Sequence, residues 1–230
     1  MSIPEQEQQI LIGQVVNGMM ESEKQGKVQC FRYLNLYVKK GQIVFAGSSL
    51  MEQFPIYEFL QDFDLPYTIY NRGIGGYTTA ELLKVMDVCI YDLAPRAIFL
   101  NIGTNDLNGP DYRQEDLMAR LEEILKGIRA HLPDVRLYML AFYPVNPEVE
   151  TNPYTKEIFR HRTNDRIRAA NEGVQSLAKA YNATYLDLNH NIRDTNGNLK
   201  AEFTVEGMHM YANGYKAVLD QLYPILQELA

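Results

Sequence analysis

A chain of 230 residues is long enough for one sizeable core, and 46% hydrophobic with 22% charged residues is an ordinary globular balance that leaves no room for a long disordered tract. The formal net charge of −7, with no Lys/Arg run in either half, excludes the basic footprint of a nucleic-acid binder. No apolar run reaches the roughly 18 residues of a membrane span, and Met1 to Glu7 lack a basic leader, so a cytoplasmic protein without stable membrane insertion is expected.

In chain order, residues 5–40 read as a helical arm, with Ile10, Leu11, Val15, Val16 and Met19 on one stripe and Phe31, Leu34 and Tyr37 on another. Such an arm must pack on the domain or form a homodimer contact. The run Gln42 to Gly47 is short, apolar and bounded by glycine, which predicts a buried strand. The same grammar recurs at Tyr67–Tyr70, Ala97–Ile102, Val135–Leu140 and Thr184–Leu188. Helical patterns at 78–92, 113–131, 155–181 and 213–229 alternate with these strands. Alternation of this kind predicts a three-layer α/β/α fold around a five-stranded parallel sheet, over a single domain spanning 1–230. If the strand order is the flavodoxin-like 2-1-3-4-5, ligands bind outside the carboxyl ends of the strands. Cys30 and Cys89 form neither a C-x-x-C pair nor a metal cluster and are expected as reduced, buried thiols.

The segments that follow the strands carry the chemistry. After the first comes Gly47-Ser48-Ser49-Leu50, where a serine at a strand-to-helix turn either caps the helix or presents its hydroxyl beside free backbone N–H groups. After the second comes Asn71-Arg72-Gly73-Ile74-Gly75-Gly76, either a flexible turn or a loop that lets backbone approach a ligand. It is not a dinucleotide fingerprint, because Thr78 stands where the last glycine belongs. After the third comes Gly103-Thr104-Asn105-Asp106, whose asparagine is a turn residue or a donor. In the 2-1-3 order, Gly76 and Asn105 flank Ser49, which is the arrangement of an oxyanion hole. Near the C-terminus, Glu206-Gly207-Met208-His209 offers a carboxylate three residues before a histidine, whereas His131, His161 and His190 have no such neighbour.

Together these four segments resemble the blocks of the SGNH/GDSL hydrolases, and in general look they are nearest to the platelet-activating-factor acetylhydrolase-like branch. The resemblance covers about residues 42–225 and leaves the arm unexplained. It implies a flavodoxin-like fold and ester hydrolysis through an acyl-enzyme, on a small ester substrate, without metal or organic cofactor. It also implies Ser49 as nucleophile, Gly76 and Asn105 as oxyanion donors, and Glu206 and His209 as acid and base. Three positions depart from the family pattern: Ser48 replaces the aspartate of the first block, Glu206 replaces the triad aspartate, and Met210 replaces the proline after the histidine. The longer Glu206 side chain leaves Asp187 as a substitute acid. Met51, Phe54, Tyr77, Phe142, Tyr143, Met208 and Met210 are expected to line the crevice, with the Pro-rich stretch from Tyr143 to Tyr154 as a wall or lid. A cofactor-binding module of flavodoxin type and a catalytically silent interaction protein are the rival readings.

Overall fold

In the computed structural model, residues 5–229 are described, except for the side chains of Glu5, Gln6, Gln9, Ile10 and Tyr154. The reading of Met1 to Pro4, and of Ile10 and Tyr154, therefore lies outside the described residues.

The strands β1 (Ile43–Gly47), β2 (Ile69–Gly73), β3 (Ala97–Asn101), β4 (Arg136–Leu140) and β5 (Thr184–Leu186) form one sheet in the order β2-β1-β3-β4-β5. Every pairing is parallel, and Gly47 is in register with Gly73 on one side and Asn101 on the other. Apart from Asn101 at the end of β3 and Arg136 at the start of β4, the runs of β1, β3 and β4 are apolar because each feeds two cores. Val44, Ala46, Ile98, Leu100, Leu137 and Met139 face one core, and Ile43, Phe45, Ala97, Phe99, Tyr138 and Leu140 face the other.

The first core is covered by part of α1 (Glu5–Leu34), by α4 (Thr79–Leu83) and α5 (Met86–Cys89), and by α6 (Gln114–His131) and α8 (Asn164–Ala180). The second is covered by α2 (Ser49–Glu52), α3 (Ile56–Asp62) and α9 (Ala212–Gln227). The short α7 (Pro153–Ile158) stands at the carboxyl end of the sheet. Among the described residues no helix is long and apolar enough to cross a membrane.

Several boundaries differ from the sequence reading. The arm stops at Leu34 instead of running to 40, and only its second half packs: Phe31 is buried, whereas Leu11, Val15, Val16, Met19, Leu34 and Tyr37 are exposed. Cys30 faces outward on that half-packed helix and is an exposed free thiol, while Cys89 is buried as expected. The pattern at 78–92 breaks at Lys84 and Val85, and the pattern at 155–181 breaks over 159–163, where Thr163 accepts the Arg166 N–H as the cap of α8. β2 begins at Ile69 and extends through Asn71, Arg72 and Gly73, which read as loop from sequence. Arg72 is tolerated there because its guanidinium donates to Asn35 Oδ1 and lies over the Phe31 ring, fastening the end of α1 to the sheet.

Candidate active site

The turn from β1 into α2 is possible because residue 47 is glycine. A Cβ at that position would lie 2.1 Å from the Asn101 carbonyl oxygen, well inside contact distance. The tight turn delivers Ser48 to the N-cap and Ser49 to the first position of α2. Ser48 Oγ is buried and makes no cap hydrogen bond, so the cap reading fails for its side chain. Asn71 braces the turn from β2: its Nδ2 donates to the Met51 carbonyl at 2.6 Å and its Oδ1 accepts the Gly73 N–H at 2.9 Å. Sequence reasoning quoted Asn71 within its block without assigning it this role.

Ser49 Oγ lies 2.8 Å from His209 Nε2, and Glu206 Oε1 lies 2.5 Å from His209 Nδ1. The order of contacts is hydroxyl, imidazole, carboxylate. With the Nδ1–H donating to the carboxylate, Nε2 presents a lone pair to the serine hydroxyl. The turn that holds Glu206 and His209 is itself tied down. Thr204 Oγ1 donates to the His209 carbonyl at 2.9 Å and accepts the Gly207 N–H at 2.8 Å, and Glu206 Oε1 also accepts the His209 backbone N–H at 3.2 Å. Gly207 adopts φ +97°, a conformation that favours glycine. Asp187, the substitute acid, is turned elsewhere: it pairs with Arg193 at 3.3 Å and accepts the Asn189 N–H at 3.0 Å.

Gly76 and Asn105 line the same cleft as Ser49, one beyond β2 and the other beyond β3, as the strand order requires. Gly76 has φ +71°, and the backbone N–H groups of Ser49 and Gly76 donate to no atom among the described residues. Asn105 Nδ2 donates to the Tyr77 carbonyl at 2.9 Å, which ties the two loops together. A second tie is the buried Asp106 carboxylate. It accepts the Thr79 N–H at 3.0 Å, the Thr79 hydroxyl at 2.5 Å and the Arg120 guanidinium at 3.1 Å. Free N–H groups beside a hydroxyl that is paired to an imidazole can stabilise an oxyanion as the hydroxyl attacks a carbonyl.

The cleft has a volume of about 700 Å³. The expected apolar lining is corrected here: of the seven residues named from sequence, Met208 alone reaches the cleft. Met51, Phe54, Tyr77, Phe142, Tyr143 and Met210 are buried, because residues next to strand ends alternate into the two cores. The Pro-rich stretch likewise starts as core at Tyr143, Val145 and Asn146, and the wall on that side is Thr155 and Ile158 of α7. The opposite wall is the arm. Met20, Glu23, Lys24 and Lys27 of α1 line the cleft, Lys24 donates to Glu81 at 2.6 Å, and Lys27 pairs with Glu52, which accepts the Gly75 N–H. The side chain of Lys24 lies against Gly76, its Cε 3.2 Å from where a Cβ would stand. Among the described residues no group of three or more His, Cys, Asp or Glu side chains is spaced to hold a metal ion.

The comparisons agree with this architecture. The model of the GDSL-like lipase/acylhydrolase family matches residues 56–217. The chain is similar to a Streptococcus pneumonia protein provisionally described as a platelet activating factor, at 32% identity and a TM-score of 0.84 over 94% of this chain and 99% of that one. It is similar in fold to a GDSL-like lipase from Bacteroides thetaiotaomicron, at 18% identity and a TM-score of 0.72 over 88% and 98%. Platelet-activating factor acetylhydrolase IB subunit alpha2 of Homo sapiens is 22% identical over 192 residues, 83% of this chain and 78% of that one. With the parallel 2-1-3-4-5 sheet, these matches make the chain a hydrolase that belongs to the GDSL-like lipase/acylhydrolase family.

Proposed function

We propose that the protein is a serine esterase that cleaves small acyl or acetyl esters through an acyl-enzyme on Ser49. The observation that carries this reading is the unbroken chain from Ser49 Oγ through the His209 ring to Glu206, at 2.8 and 2.5 Å. Ser49 Oγ attacks the ester carbonyl carbon as its proton passes to His209 Nε2. The carbonyl oxygen becomes an oxyanion that accepts from the Ser49 and Gly76 N–H groups and the Asn105 amide. Collapse expels the alcohol, which takes the proton from Nε2, and leaves the acyl group on Ser49. Water, deprotonated by the same nitrogen, then frees the acid and restores the hydroxyl. Glu206 faces the imidazolium that forms twice per cycle.

A fluorophosphonate probe followed by short p-nitrophenyl esters tests the proposal. The expected result is stoichiometric modification of Ser49, loss of turnover in Ser49→Ala, and retention of most turnover in Ser48→Ala. Equal loss in both variants, or in neither, removes Ser49 as nucleophile.

A further inference from the structure

Arg162 lies in the bend between α7 and α8, and its side chain turns inward to the cleft wall with 4% of its surface exposed. None of the ion pairs among the described residues includes it. Its donors go to neutral acceptors: Nη2 to Asn105 Oδ1 at 2.6 Å, Nε to Asn108 Oδ1 at 2.8 Å and Nη1 to Met208 Sδ at 3.1 Å. Burial lowers its pKa to about 10, and the field of Glu206 opposes that fall, so the group stays charged at neutral pH. An unpaired buried cation is costly, and an apolar side chain would fill the same space more cheaply. What the guanidinium adds is direction. It donates and never accepts, so Asn105 must present its oxygen to Arg162 and its amide nitrogen to the Tyr77 carbonyl. A flipped Asn105 would set N–H₂ against the cation and oxygen against oxygen. One amide hydrogen is used by Tyr77, and the other is left for the cleft that Asn105 lines.

We propose that Arg162 is a positioning residue for ester hydrolysis, one that locks the Asn105 amide with its nitrogen toward the oxyanion and strengthens that N–H as a donor. The strengthening follows from charge: a cation bonded to the amide oxygen draws electron density from the nitrogen. This role rests on the esterase reading of Ser49. It acts on the transition state, so its loss lowers kcat and leaves KM nearly unchanged.

The test is a double-mutant cycle on p-nitrophenyl acetate with Arg162→Met, Asn105→Ala and the pair, each checked for a cooperative thermal transition. Arg162→Met is expected to lower kcat roughly 10- to 100-fold, somewhat less than deletion of an oxyanion donor, with KM within about twofold. Arg162→Lys, a point charge without the planar fork, is expected to recover little. In the Asn105→Ala background, where no amide remains to be held, Arg162→Met is expected to cost less than about threefold. Losses that multiply in the double variant, or an unchanged kcat in a folded single variant, overturn the role of Arg162 while leaving the esterase intact. If Arg162→Met does not fold, the same cycle is run with Arg162→Lys under the same criteria. A wild-type chain that turns over no ester and leaves Ser49 unlabelled overturns the esterase reading and the role of Arg162 together.

Discussion

Replacing Glu206 by glutamine keeps the shape of the turn and removes the charge that faces the imidazole. Glu206 and His209 are 21% and 27% exposed at the side chain, so their attraction is screened neither as in bulk water nor as in a dry interior. Two unit charges about 4 Å apart attract by roughly 1 kcal/mol in water and roughly 4 kcal/mol at an effective dielectric of about 20. An intermediate value near 3 kcal/mol, felt only when His209 is protonated, corresponds to a loss of roughly 100-fold in kcat. The amide adds to the damage. Nδ1 lies 2.5 Å from Oε1, and a glutamine N–H₂ turned to that position favours the tautomer that leaves no lone pair for Ser49. We therefore expect Glu206→Gln to lower kcat by roughly 10² to 10⁴, with KM little changed. Asp187→Asn is expected to stay within about twofold, because Asp187 meets Arg193 and the Asn189 backbone and not His209. Steady-state kinetics on a short p-nitrophenyl ester measure both. A loss under tenfold in Glu206→Gln, or a larger loss in Asp187→Asn, refutes the assignment of Glu206 as triad acid.

Two further outcomes concern stability. Gly47→Ala forces a Cβ against the Asn101 carbonyl, and urea unfolding is expected to show a loss of about 3 kcal/mol, as in other overpacked sites; a loss below about 0.5 kcal/mol contradicts the close-packed turn. For Glu81, burial raises the pKa, but Lys24 at 2.6 Å and the Thr78 hydroxyl at 2.7 Å and N–H at 2.8 Å outweigh it and leave the carboxyl below its usual 4.5. Its contribution is thus fully present above pH 4.5 and lost as pH falls through the lowered value. Denaturant curves of wild type and Glu81→Gln should differ at neutral pH and converge on acidification, and a gap that persists unchanged to low pH contradicts the linkage.

Strands β1, β3 and β4 were legible because buried parallel strands are apolar on both faces and glycine or polar residues bound them. The end of β2 was not. Asn71, Arg72 and Gly73 look like loop, and they pair as strand because β2 is an edge whose polar groups find Met51, Asn35 and Gly73 nearby. The break before α8 had a local signal in Thr163-Asn164, which the longer apolar period obscured. Ser49, Gly76 and Asn105 could be grouped from sequence because each lies just past a strand end, whereas Glu206 and His209 stand well past β5 and were singled out by their spacing; all five line one cleft. Arg162, Lys24 and Lys27 had no such marker. They reach the cleft through the bend before α8 and the packing of α1, which no motif encodes. The apolar side chains beside the motifs were misplaced for the same reason, since proximity in sequence to a site says nothing about which side of the backbone a residue takes.

The bond between Ser49 and His209 closes a separation of 160 residues, and Glu206 and His209 travel together on one four-residue turn. Synthesis proceeds from the N-terminus, so Ser49 and the loops of Gly76 and Asn105 are made long before His209 is. The turn is followed at once by α9, whose Tyr215, Leu219, Leu222 and Leu226 bury themselves against the second core. Under the proposed mechanism, docking of that last helix is what brings the base to its serine, so a C-terminal clip within α9 is expected to leave Ser49 inert.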